Sequence, residues 1–118
     1  MKVIGIVGSR RRDSIEDYKK TVSFFPDIYE LGDEIVSGGC YKGADNFAER
    51  IALHCQVPIK IYYAEWSRLG KSAGFIRNTY IARDADVLIA CVSKDRTGGT
   101  EDTIKKYLAL GKNKLYLV

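Results

Sequence analysis

The sequence has 118 residues, 46% hydrophobic and 29% charged, enough for one α/β domain with a modest core and too few for two. Nineteen Lys and Arg against fifteen Asp and Glu leave a net charge of +4, a mild excess that favours anionic ligands without demanding a nucleic acid. Cys40, Cys55 and Cys91 are odd in number and form no CxxC or Cys/His cluster, which speaks against a disulfide framework or a zinc site and fits a reducing cytoplasm; neither metal nor cofactor is expected.

The first apolar run, 2–7, predicts a strand that follows Met1 without the charged and long apolar segments of a leader or a membrane span. Ser14 and Asp17 then make a capping box, and Ile15, Tyr18, Val22 and Phe25 recur at helical spacing until Pro26 intervenes. A second strand is predicted over 34–37. After it, Ala44, Phe47, Ala48, Ile51, Ala52 and Cys55 form the stripe of a second helix ending before Pro58. Strand three is expected over 58–63. The third helix is signalled by Ala73, Ile76, Tyr80 and Ile81, the fourth strand by 87–92. Thr100 is expected to cap the last helix, with Ile104, Tyr107 and Leu108 inward and Gly111 as terminator, before a fifth strand over 114–118. Nearly continuous apolar strands alternating with helices predict a three-layer α/β/α Rossmann-like sandwich, a single domain over 1–118 with a five-stranded, mainly parallel sheet.

Ligands of such folds bind beyond the carboxyl ends of the strands. The turns there are rich in glycine: Gly8-Ser9-Arg10-Arg11-Arg12, Ser37-Gly38-Gly39-Cys40-Tyr41-Lys42-Gly43-Ala44-Asp45, and Thr97-Gly98-Gly99-Thr100. One such loop is explained by tight turns alone; three on neighbouring strands suggest a phosphate or nucleotide cradle. Two familiar signatures fail. Gly5-Ile6-Val7-Gly8 lacks the GxGxxG spacing, and Gly70-Lys71-Ser72 has Glu65 where a P-loop needs its leading glycine.

Gly8-Ser9-Arg10, Ser37-Gly38-Gly39 with Gly43-Ala44-Asp45, Trp66, Lys71, Ala73-Gly74, Arg77-Asn78 and Gly98-Gly99-Thr100 together resemble the SLOG superfamily, above all its small YspA-like branch, across nearly the whole chain. The superfamily includes DprA-type DNA-binding proteins, Lonely-guy phosphoribohydrolases and domains that sense nucleotide-derived signals. The resemblance implies a Rossmann-like fold and a nucleotide-related ligand, with Gly8, Ser9 and Arg10 on one wall, Ser37, Gly38 and Gly39 on another, Gly98, Gly99 and Thr100 at the phosphate, and Arg77 reaching in from the third helix. Arg77 would neutralise phosphate charge through a bidentate contact. A homodimer is likewise implied by resemblance alone.

Hydrolase members carry Pro-Gly-Gly-x-Gly-Thr-x-x-Glu. Aligning Gly99-Thr100 with its Gly-Thr puts Thr103 where that glutamate belongs, and a threonine cannot serve as a carboxylate acid or base. Glu101 or Asp102, with Arg77 positioning phosphate, would be the catalytic candidate only if the helix start were displaced; as first-turn acids both complement the helix dipole, an explanation sufficient in itself, and a further reading has them accept from ribose hydroxyls. Asp45 reads either as a first-turn acid or as a contact to ribose or water. Trp66, the one tryptophan, is a packing plug or a stacking platform for a base. Asn78 accompanies Arg77 in the motif. Arg10 stands at the cleft mouth, where Arg11 and Arg12 raise the local potential, and Arg10, Lys71 and Arg77 are expected to converge there around Glu101 and Asp102. The leading expectation is a domain that binds or senses a nucleotide or nucleotide-derived small molecule. The alternatives are a nucleoside-monophosphate phosphoribohydrolase and a DprA-like module for single-stranded nucleic acid.

Overall fold

The computed structural model describes residues 1–40 and 42–118; Tyr41, in the second glycine-rich loop, lies outside them. Five strands, β1 (Val3–Gly8), β2 (Glu34–Gly38), β3 (Ile59–Tyr62), β4 (Val87–Cys91) and β5 (Leu115–Leu117), form one sheet in the order β3-β2-β1-β4-β5. Every neighbouring pair is parallel. Because parallel strands require crossovers, helices cover both faces: α1 (Ile15–Ile28) and α2 (Ala44–Cys55) on one, α4 (Ala73–Asp84) and α5 (Gly99–Ala109) on the other. A short helix α3 (Trp66–Leu69) and a 3-10 turn, Gly70–Ser72, precede α4. The expected three-layer α/β/α sandwich is the fold observed.

Side-chain alternation divides the core in two. Ile4 and Ile6 of β1 pack with Val87, Ile89 and Cys91 of β4 against Phe25, Phe47 and Ile51. Val7, Leu88 and Ala90 face the opposite way, against Ile81, Ile104 and Tyr107. All five β4 residues are buried, which accounts for the unbroken apolar run. The edges differ from the expectation of full cover: β3 has an exposed Lys60, and Tyr116 and Leu117 of β5 are exposed, since less of the helical layers overlies the outer strands.

The helices correct the sequence reading in three places. Helix α1 begins at the expected Ser14 capping box but runs through Pro26 to Ile28. A proline in the last turn removes only one backbone bond, the turn closes through Tyr29 N–H to Phe25 O at 2.8 Å, and Phe25 and Ile28 are buried in return. The cap of α5 is Gly98 and not Thr100, which lies buried in the first turn. Leu108 is exposed while Thr103 turns inward. Helix α4 forms where Ala73, Ile76, Tyr80 and Ile81 predict it, with Ala73, Asn78, Ile81 and Ala82 buried, Ile76 half-buried and Tyr80 exposed. Among the described residues, no helix is long and apolar enough to cross a membrane.

Candidate functional site

The strand order reverses at β1, between β2 and β4, and a crevice opens there beyond the carboxyl ends. Its floor depends on close approach. A Cβ on Gly8 would stand 2.6 Å from that of Ala44 and 2.8 Å from that of Cys91, so any larger residue would push α2 and β4 apart. The chain leaves β1 with Ser9 N–H donating to Cys91 O at 2.9 Å, and the start of α2 is tied to the same loop by Gly43 N–H donating to Asp13 Oδ1 at 2.7 Å.

The three arginines that follow take different roles. Arg12 turns inward to Asp17 at 2.7 Å and donates to Val92 O and Val118 O, a structural use. Arg11 reaches across the crevice to Asp95 through two hydrogen bonds of 2.9 Å and to Thr97 Oγ1 at 3.0 Å, bridging the loops after β1 and β4. Arg11 first, then Ser93 and Thr97, hold the Asp95 carboxyl well below the ordinary carboxylate range. Arg10 is exposed and borders the crevice.

Gly8, Ser9, Arg10, Arg11, Cys40, Asp45, Arg77, Asn78, Thr97, Gly98, Gly99, Thr100 and Thr103 line a cavity of about 290 Å³, with Val7 and Ile81 as its apolar floor. Gly98 has φ +98° and, among the described residues, no side chain caps α5, so the first amides of that helix are not claimed by a capping group. Asn78 links the helices on this wall: its Nδ2 donates to Gly99 O at 3.1 Å and Asp102 Oδ2 at 3.2 Å, while its Oδ1 accepts from Arg77 Nε at 2.9 Å and so orients the guanidinium.

Ser37 and Gly38 do not line the cavity, yet they shape it. A Cβ on Gly38 would lie 2.6 Å from Arg77 Nη1 and 2.7 Å from Asp45 Oδ2, so the bare glycine is what admits both groups. Asp45 is 7% exposed; its Oδ2 accepts from Cys40 N–H at 3.3 Å, and its Oδ1 lies 3.2 Å from Ser37 Oγ. Burial pushes the Asp45 carboxyl above its ordinary value, and the Arg77 charge and surrounding donors pull the other way.

A second cavity, about 380 Å³, adjoins the first and is lined by Arg10, Gly39, Cys40, Tyr63, Ala64, Trp66 and Arg77. Tyr63 and Trp66 are 66% and 60% exposed, an uncommon state for large aromatics side by side in one cavity wall. Tyr63 lies over Gly39, where a Cβ would come within 2.1 Å of its ring. Trp66 sits at the start of α3, not in a loop, with Gly74 beneath its ring.

Of the expected site residues, Gly8, Ser9, Arg10, Asp45, Arg77, Asn78, Gly98, Gly99 and Thr100 border the first cavity, and Gly39 and Trp66 the second. Glu101 is not brought to either; Arg96 takes it in two hydrogen bonds of 2.8 and 2.9 Å. Asp102, paired with Lys106 at 2.8 Å, and Lys71, exposed on the 3-10 turn, also lie outside both linings. In place of the convergence expected around Glu101 and Asp102, Arg10, Arg11 and Arg77 share the lining of the first cavity with Asp45. The structure adds Arg11, Cys40, Thr97 and Tyr63 to the linings; Tyr63 reads in the sequence simply as the end of a strand. Among the described residues, no three His, Cys, Asp or Glu side chains gather as a metal site.

The fold and cleft define an α/β protein with Rossmann-like strand order and a cationic crevice at its switch point. Comparison with protein-family models, curated proteins and solved structures yields no match.

Proposed function

We propose that this chain is a SLOG-type domain that binds a nucleotide or nucleotide-derived small molecule, with phosphate at the start of α5 and the base against Tyr63 and Trp66. The observation that carries this reading is the sharing of Arg10, Cys40 and Arg77 by the two cavities. One chamber offers glycine amides and guanidinium groups to an anion, and the other offers aromatic faces to a planar ring. Each chamber is near the lower end of the roughly 300–1,000 Å³ range of ligand pockets, which favours an elongated ligand occupying both. Binding in the absence of cleavage is favoured because Thr103 occupies the motif position of the hydrolytic glutamate and Glu101 is engaged by Arg96. Cytoplasmic placement and self-association belong to the same proposal.

The test is thermal-shift titration with nucleoside mono- and diphosphates, run on the parent protein and on Arg77→Ala. A saturable rise in Tm that is lost in Arg77→Ala supports the reading. An undiminished rise in that variant places the ligand elsewhere, and no rise with any nucleotide refutes the proposal.

A further inference from the structure

The first cavity contains an unusual opposition. Its other charged lining residues, Arg10, Arg11 and Arg77, are cations, yet it also contains one buried carboxylate, Asp45. A phosphate set directly against that carboxylate would be repelled. Helix-dipole compensation does not explain its geometry. Asp45 is the second residue of α2, but its carboxylate accepts from Cys40 N–H and the Ser37 hydroxyl, with Gly38 N–H as a further donor, all on the preceding strand end and loop.

Asp45 is held without being saturated. Its Oδ1 accepts from the Ser37 hydroxyl at 3.2 Å, its Oδ2 accepts from Cys40 N–H at 3.3 Å, and Gly38 N–H is a further donor to the carboxylate. An ionised carboxylate offers about four acceptor sites and no donor. The residue lines an open cavity, so the remaining acceptor capacity is open to a ligand that brings a hydrogen-bond donor.

Position selects the donor. Asp45 and Arg77 both approach the same point above Gly38, and Arg77 borders both chambers. Asp45 thus stands where the anion-binding chamber meets the aromatic one. In a nucleotide, the group joining phosphate to base is the ribose, and its free hydroxyls are neutral donors.

We infer that Asp45 is a specificity-determining residue that accepts hydrogen bonds from the ribose hydroxyls, so that the ligand class is ribonucleotides with an unmodified 2′,3′-diol. The assignment rests on the nucleotide reading above. It orients the ligand: phosphate at Gly98–Thr100, diol at Asp45, base against Tyr63 and Trp66.

The experiment compares calorimetric affinities for the four ribonucleoside 5′-monophosphates with those for their 2′,3′-dideoxy counterparts, which keep phosphate and base. The wild-type protein is expected to favour the ribo form by about tenfold or more, the worth of hydrogen bonds to a charged acceptor. In Asp45→Asn the preference should shrink to less than about threefold, mainly through weaker binding of the ribo form. Asp45→Ser, a smaller uncharged replacement, carries the same expectation should the asparagine variant fail to fold. Equal binding of ribo and dideoxy forms by the wild type overturns this assignment and leaves the nucleotide reading standing. A preference that follows the base and ignores the hydroxyls also overturns it, pointing to a ligand amine as the donor. A full ribo preference retained in the folded variants removes Asp45 from the role. Absence of binding by all eight compounds overturns the nucleotide reading and this assignment together.

Discussion

Gly43 lies so close to Ser9 that a Cβ added to it would stand 2.5 Å from the Ser9 carbonyl oxygen. Its φ of +73° with ψ of −157° falls in a region essentially confined to glycine. The loops after β1 and β2 are therefore held together by the absence of a side chain. Gly43→Ala should lower unfolding free energy by about 2–4 kcal/mol, through combined backbone strain and steric clash. Urea denaturation checks this, and a variant with the parent midpoint would contradict it.

Gly38 makes a different prediction, because the atoms around its missing side chain are the ends of Arg77 and Asp45. Gly38→Ala should displace the guanidinium while the flexible side chain absorbs most of the clash. Nucleotide affinity is expected to fall about tenfold, comparable to loss of one charge-assisted hydrogen bond, with a stability change of about 1 kcal/mol. The comparison of Kd with Tm separates this local effect from unfolding.

Trp66 is the only tryptophan and borders the second cavity. Tryptophan emission, excited at wavelengths that tyrosine does not absorb, therefore reports that chamber alone. A nucleotide titration should quench or shift the emission along the same curve as calorimetric binding. Trp66→Ala should weaken binding by about 1–3 kcal/mol, the worth of one base–aromatic stack, and leave inorganic phosphate binding unchanged.

Glu101 supplies a contrast. Tied to Arg96 and outside both cavities, it is expected to matter little for ligand: Glu101→Gln should leave nucleotide affinity as it is and reduce stability by about 1 kcal/mol or less, as for other partly exposed ion pairs. A large loss of binding in this variant would return Glu101 to the site.

Two aspartates should affect stability in opposite directions with pH. Burial opposes ionisation of Asp33, but Lys2 Nζ at 2.6 Å, Lys2 N–H at 2.8 Å and Glu30 N–H at 2.9 Å overcome it, lowering the carboxyl from 3.8 to about 2. A carboxyl that ionises more readily when folded stabilises above its unfolded pKa, and that contribution disappears as pH falls from about 4 towards 2. Asp33→Asn should flatten the acid limb of the stability profile. Asp45 is shifted upward by burial, so its ionisation disfavours the empty folded state at neutral pH. Asp45→Asn should accordingly melt higher than the parent at pH 7 in the absence of ligand while discriminating ribose less well. Melting curves at pH 2–8 test both signs.

The strands were legible because double cover leaves its mark on composition: β4 is buried throughout and reads as apolar throughout. The capping box at Ser14 was legible because both partners lie within four residues. The glycine loops located the cleft for the same local reason. What sequence missed depends on distant partners. Nothing local distinguishes Arg11, held by Asp95, from Arg12, held by Asp17 and the main chain of Val118. Thr100 reads as a cap because capping hydroxyls usually precede an apolar stripe, whereas the helix caps at Gly98, with its positive φ, two residues earlier. Tyr63 was hidden as a strand residue; the available signal was two large aromatics, Tyr63 and Trp66, bracketing the turn just beyond a strand end.

Arg10, Cys40 and Arg77 form the divide between the two chambers, so the partition is built of side chains on a fixed main-chain frame. Sheet and helices set where the crevice lies, and rotamers of two long arginines set how far it extends. A single exchange at position 10 or 77 would resize the chamber without disturbing a strand or a helix. Ligand choice in such a molecule can drift between compact and extended compounds over evolutionary time while the scaffold stays the same.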